Sequence, residues 1–124
     1  MLTPTLEDYL EAIAILEKEN GRARIKDIGK HLKVKDPSVV SAINSLVENG
    51  YVKHEKYSYV ELTKKGKKAA EGVHKKHRTI VKFLTSILKV DEITAIEDAC
   101  KIEHIISKQT YKKIASAVEE NLLE

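Results

Sequence analysis

Asp36-Pro37-Ser38-Val39-Val40-Ser41-Ala42-Ile43-Asn44-Ser45-Leu46-Val47-Glu48-Asn49-Gly50 is the stretch whose reading decides the fold. Asp36 is a good N-cap, and Pro37 follows at the first helical position, where its missing N–H costs nothing. Val39, Val40, Ile43, Leu46 and Val47 are expected on the inner face of the helix, and Asn49-Gly50 stops it. Ser38, Ser41, Ala42 and Ser45 form an outer face that is small and mostly polar, so this helix can approach a partner closely.

Upstream, Ile25, Ile28, Leu32 and Val34 mark a short helix over residues 25–32, joined to the first stretch by Lys33-Val34-Lys35-Asp36. Before it, a helix is expected from Leu6 to Lys18, capped by Thr5 with Asp8 three residues on. Its buried stripe is Leu6, Tyr9, Leu10, Ile13 and Leu16, and Asn20-Gly21 ends it. Downstream, residues 51–55 and 59–62 read as two short strands joined at Lys56-Tyr57-Ser58. Helix, helix, turn, helix and hairpin is the layout of a winged helix-turn-helix.

Thr63 caps a long helix expected over residues 64–88, in which Val73, His77, Ile80, Val81, Leu84, Ile87 and Leu88 recur at helical spacing. Val90-Asp91-Glu92 breaks the chain before a fifth helix, 92–105, with Ile93, Ile96, Ala99, Cys100 and Glu103 on one face. Ser107 caps a sixth, 108–122, with Tyr111, Ile114, Val118 and Leu122 inward. The fold expected is mainly α: a winged helix-turn-helix over residues 1–70 and an all-helical unit over residues 71–124.

Composition narrows the functions available. With 124 residues, 42% hydrophobic and 33% charged, the chain is globular, either one domain or two small units sharing a helix. Aromatics are 5% and Trp is absent, which argues against stacking platforms for bases or sugars. No apolar run is long enough for a membrane span, and the start lacks the basic and apolar stretches of a signal peptide. The one cysteine, Cys100, excludes an internal disulfide and suits a reducing, cytoplasmic setting. The net charge of +3 hides a division: residues 21–90 hold 17 Lys and Arg against 6 Asp and Glu, and the rest of the chain is acidic. Such a basic middle has the electrostatic character of a polyanion-binding surface.

Two constellations carry chemistry. The outer face of the third helix suits base edges, while its start, where Lys35, Asp36 and Pro37 stand as expected DNA contacts, leaves the first free backbone N–H groups of the helix near phosphate. Lys56 and Tyr57 on the wing, and Lys64 and Lys65 opening the long helix, are further expected DNA contacts. The second constellation is Cys100, Glu103 and His104, at i, i+3 and i+4 on one side of a helix, where thiolate, carboxylate and imidazole are all transition-metal ligands. Asp8 and Glu11 are likewise i and i+3, and His77 interrupts an apolar stripe and must meet something polar. No Gly-rich phosphate loop, His-Glu-x-x-His or nucleophile elbow is present, so no enzyme is expected.

Order and residues together resemble the metal-dependent transcriptional repressors of the diphtheria toxin repressor family, which includes the manganese transport regulators. The matching stretches are Glu7-Asp8-Tyr9-Leu10-Glu11-Ala12-Ile13, Asp36-Pro37-Ser38-Val39-Val40, Leu62-Thr63-Lys64-Lys65-Gly66, His74-Lys75-Lys76-His77-Arg78 and Glu97 through Ser107. The resemblance implies an N-terminal winged helix, a helical metal-binding and dimerisation domain, operator binding as a homodimer in the presence of Fe(II) or Mn(II), and repression of metal-uptake genes. It implies no membrane and no small-molecule substrate. By resemblance Asp8, Glu11, His77, Cys100, Glu103 and His104 fall on metal positions. Cys100 is the residue of the iron-responsive branch and Asp8 that of the manganese branch. Val81 and Ile96 stand where the iron branch's ancillary site has Glu and His, and Tyr59 stands where the wing commonly turns on Gly. The chain ends at Glu124, short of the SH3-like third domain of longer members.

Sulfur from Cys100 favours Fe(II), Co(II) or Zn(II) over Mn(II), and the carboxylates add hard oxygen, so Fe(II) is compatible with both. Zn(II) and Co(II) are expected to bind in vitro by the Irving–Williams order. The rival readings are a winged-helix regulator without a metal switch, whose Cys100 is core, and a metal-buffering or catalytic protein.

Overall fold

The computed structural model describes residues 2–55 and 59–123. The chain divides into two compact units, Met1–Gly72 and Val73–Glu124.

In the first unit, α1 is Pro4–Asn20. It is capped by Thr3, whose Oγ1 accepts from Leu6 N–H at 3.2 Å. Thr5 is therefore not the cap. Pro4 takes the first helical position, where its fixed φ is already helical, and Thr5 lies within the first turn. Gly21 ends α1 at φ +80°. α2 is Ile25–Leu32, and its C-cap Lys33 has φ +59°, a left-handed conformation that glycine adopts at less cost. Val34 is in the turn, not the helix, and its N–H closes on Gly29 C=O at 2.9 Å.

α3 is Asp36–Glu48. Lys35 holds the cap position without a side-chain cap bond, so Asp36 is the first helical residue rather than the cap. Its carboxylate instead leans against α2 beside Gly29. Val39, Ile43 and Leu46, at i, i+4 and i+7, are completely buried. Val40 and Val47 are 43% and 40% exposed, contrary to the sequence reading. They lie about a quarter turn from the buried stripe, outside the arc that one packed face covers.

Strands β1, Val52–His54, and β2, Val60–Leu62, pair antiparallel with Lys53 opposite Glu61. Ala23 extends this sheet by one bridge, accepting from Val60 N–H at 2.8 Å. The expected turn Lys56-Tyr57-Ser58 lies outside the described residues. Leu10, Ile13, Ile28, Val39, Ile43, Leu46 and Val60 make a closed core between the helices and the hairpin.

Thr63 caps α4, Lys64–Lys82, accepting from Gly66 N–H at 3.1 Å. The long helix does not stay α-helical to residue 88. A π-helical turn follows over Phe83–Ile87, Leu88 N–H reaches back five residues to Phe83 C=O, and Lys89 has φ +60°. Thr85 Oγ1 donates to Val81 C=O at 3.0 Å, a bond from side chain to backbone that loosens helices locally.

In the second unit, Asp91 caps α5, Glu92–Ile105, and Ser107 caps α6, Lys108–Leu123. The core is small: Ile80, Leu84, Ala95 and Ala99, with Phe83, Ile102, Ile106 and Tyr111 packed around it. The buried residues of α5 are thus Ala95, Ala99 and Glu103, while Ile93, Ile96 and Cys100 are exposed. Alanines allow helices to approach closely, and that preference overrides the larger isoleucines. On α6, Val118 is buried, Tyr111 and Ile114 are half-buried, and Leu122 is exposed rather than inward.

Candidate metal centre and nucleic-acid interface

Packing of Ala95 and Ala99 with Ile80 and Leu84 sets the last turns of α5 beside the last turns of α4. Glu103 is 2% exposed, the one charged side chain buried among the described residues. Its Oε2 lies 2.8 Å from His77 Nδ1 and its Oε1 3.3 Å from His104 Nε2. His77 therefore meets the polar partner that its place in an apolar stripe requires. Both imidazoles turn a nitrogen to the carboxylate, so both act as donors there or share its charge. Cys100 Sγ is 3.9 Å from the same His77 Nδ1. Nitrogen, oxygen and sulfur donors thus converge within the second unit. Burying a carboxylate is costly without such partners, and the same atoms are ligands for a borderline divalent ion.

Asp8 and Glu11 lie one turn apart on α1, in the first unit. Asp8 is exposed. Glu11 is half-buried, and its Oε2 is buried with no hydrogen-bond partner among the described residues. An acceptor in that state needs a cation or a donor.

On α3, Pro37, Ser41 and Asn44 point away from the buried Val39, Ile43 and Leu46. Ser38, Ala42 and Ser45 lie on one flank. With Ser41 and Pro37, and with Thr3, Thr5, Leu6 and Tyr9, they line an open groove of about 590 Å³ between α1 and α3. Asn44 was missed by the sequence reading, although the spacing of Val39, Ile43 and Leu46 places it opposite the core. Lys35, Asp36 and Lys64 are exposed. Lys65 is engaged by the fold: its Nζ donates to Asn49 C=O at 2.7 Å and sits 4.3 Å from the Tyr51 ring centroid. Lys56 and Tyr57 lie outside the described residues.

A winged helix-turn-helix and a helical unit with converging N, O and S donors define a metal-responsive DNA-binding protein. The comparisons with known proteins agree. Residues 1–60 match the model of the iron dependent repressor N-terminal DNA binding domain, and residues 63–121 that of the iron dependent repressor metal binding and dimerisation domain. The chain belongs to this family of iron- and manganese-dependent repressors. It is 37% identical over 119 residues to an uncharacterised helix-turn-helix-type transcriptional regulator of Methanocaldococcus jannaschii, covering 95% of each chain. It is also 37% identical to the transcriptional regulator MntR of Bacillus velezensis, covering 96% of this chain and 83% of that one. The crystal structure of IdeR from T. acidophilum superposes with a TM-score of 0.78 at 28% identity, over 91% of this chain and 53% of that one. The chain therefore spans about half the length of that solved relative. No helix among the described residues is long and apolar enough to cross a membrane.

Proposed function

We propose that this chain is a cytoplasmic repressor of metal-uptake genes, activated by Fe(II) or Mn(II), that binds operator DNA as a homodimer and catalyses no reaction. Residues 1–70 read the operator and residues 71–124 hold metal and dimerise. The observation that carries this reading is the buried Glu103 between His77 and His104, with Cys100 beside it, in a chain that also holds a winged helix. His77, Cys100, Glu103 and His104 would hold the ion, and the family resemblance adds Asp8 and Glu11. A cation held by these residues would supply positive charge opposite their carboxylates. The population with both recognition helices at the spacing of successive major grooves, ~34 Å, then rises. A coupling of ~1–3 kcal/mol suffices for a switch.

At the operator, Ser38, Ser41, Ala42 and Ser45 with Pro37 meet bases. Lys35, Asp36, Lys56, Tyr57, Lys64 and Lys65 position the backbone. Mixed sulfur and oxygen donors favour Fe(II), with Mn(II) next and Zn(II) or Co(II) binding in vitro.

The test is anaerobic operator binding across Mn(II), Fe(II), Co(II) and Zn(II), with a chelator control. Metal-dependent binding is expected. In Cys100→Glu, activation by Co(II) and Zn(II) weakens while Mn(II) activation is kept, because hard oxygen replaces soft sulfur. Chelator-insensitive binding would favour a metal-independent winged-helix regulator, and an unchanged ion order in folded Cys100→Glu would remove Cys100 from the site.

A further inference from the structure

Tyr59 has no part in the metal centre or the α3 surface, yet two arginines are built around it. Arg22 Cζ lies 4.5 Å from its ring centroid and Arg24 Cζ 4.9 Å, and Arg24 Nη2 donates to the Tyr59 hydroxyl at 2.9 Å. The arrangement follows from the backbone. After the left-handed Gly21 the chain runs extended through Arg24, with Ala23 bridged to Val60. Ala23 and Val60 are both completely buried. Extended backbone alternates its side chains, so Arg22 and Arg24 emerge together on the outer face of the sheet, where Tyr59 also emerges.

Both guanidiniums are exposed, and neither forms an ion pair among the described residues. Asp27 in the first turn of α2 exerts only a weak pull on Arg24, and the Tyr59 hydroxyl is the larger influence. Reciprocally, the Arg24 hydrogen bond, more than any other cause, holds the Tyr59 hydroxyl below its ordinary pKa. Two like charges on one ring, without a carboxylate between them, repel each other and are relieved by an anion. Stacking fixes the guanidinium planes in advance, so little side-chain entropy remains to be lost on binding. The Tyr59 hydroxyl accepts from Arg24 and so holds that guanidinium in place against the ring.

We propose that Arg22, Tyr59 and Arg24 form a phosphate clamp beside the wing, which grips a backbone phosphate of bound duplex DNA outside the α3 contact. The proposal rests on the DNA-binding role of the first unit. The clamp positions the duplex and reads no bases, because phosphate carries no sequence information. It gives affinity that falls steeply with salt, since each phosphate neutralised releases condensed counterions.

The experiment measures binding of the full chain, with Mn(II), to a fluorescein-labelled mixed-sequence duplex of about three helical turns across a salt series. Replacing both arginines (Arg22→Gln with Arg24→Gln) should lower the slope of log K against log salt by about 2, and each single variant by about 1. Arg22→Lys with Arg24→Lys should keep the slope, and Tyr59→Phe should keep it while weakening binding a few-fold. An unchanged slope in the double Gln variant, with wild-type binding intact, overturns the clamp. Wild-type protein that fails to bind, or binds without a salt slope, overturns the DNA reading itself. Should the double Gln variant lose its cooperative melt, the single Arg22→Gln variant decides, because Arg22 makes only the ring contact. A last arm heats the protein in inorganic phosphate against chloride at equal ionic strength. A phosphate-specific rise in Tm that needs both arginines, together with an unchanged duplex slope, assigns the site to a free anion and overturns the clamp.

Discussion

The first unit buries Leu10, Ile13, Ile28, Ile43 and Leu46 completely, whereas the second closes around Ile80, Leu84 and two alanines with a carboxylate, Glu103, in its interior. Its larger apolar residues lie outside that core: Ile93 is 74% exposed, Ile105 80% and Leu88 54%. Aliphatic burial supplies stability that needs no partner. A bundle with a buried charge and exposed isoleucines draws less stability from that source. One half of the molecule thus closes an aliphatic core, and the other leaves large apolar residues exposed around a buried carboxylate.

The contrast is broken first by core deletion. Ile43→Ala should cost about 2–5 kcal/mol in urea unfolding of the first unit, with or without divalent metal. A loss that metal repairs would show that the reading head is not self-sufficient. The second unit should behave in the opposite way. Divalent ion at 100 times its Kd should stabilise the wild type by about 2.7 kcal/mol, read as a rise in Tm. Glu103→Ala should abolish that rise, because it removes the acceptor shared by His77 and His104. An equal rise in Glu103→Ala places the ion elsewhere.

Smaller effects sharpen the same comparison. Ile93→Glu with Ile105→Glu should weaken self-association at least ~10-fold, equivalent to about 1.4 kcal/mol, in sedimentation with metal present, and leave the first unit's melt unchanged. Lys33→Gly should stabilise the first unit by ~0.5–1 kcal/mol, because Lys33 holds φ +59°; a loss of stability would mean that the lysine side chain contributes more than its strain. The smallest effect belongs to Asp91, the cap of α5. The backbone N–H of Thr94 holds its carboxyl below the ordinary value of 3.8. A depressed folded pKa gives stability that is present above the unfolded value and lost as pH falls through the folded one. The stability gap between wild type and Asp91→Ala should therefore be full near neutrality and shrink below pH 3.8.

Caps were partly legible in the sequence because they are local. Thr63 and Ser107 each bond a backbone N–H three residues ahead, as their spacing predicts, whereas Asp91 makes the same bond where the sequence reading saw only a break, and Asp36 lies inside its helix rather than at the cap. Where two threonines flank Pro4, the same rule chose Thr5, and the proline's place in the helix decides for Thr3. Helix faces were less legible. Val40 and Ile93 carry the hydrophobicity of core residues, yet a helix buries only one arc, and the arc is set by what packs against it.

The sequence by itself determined the order of elements, the winged helix-turn-helix layout, the basic middle and the residue types able to hold a metal, since these depend on periodicity, capping and composition. Only the tertiary structure decided that His77 and Cys100 meet across 23 residues, that Glu103 is the buried partner of two histidines, and that Arg24, across 35 residues, and Arg22 with it close on Tyr59. Such pairings follow from which helix or strand faces which, and no local spacing encodes that, because side chains distant in sequence become neighbours only when the core they share has packed.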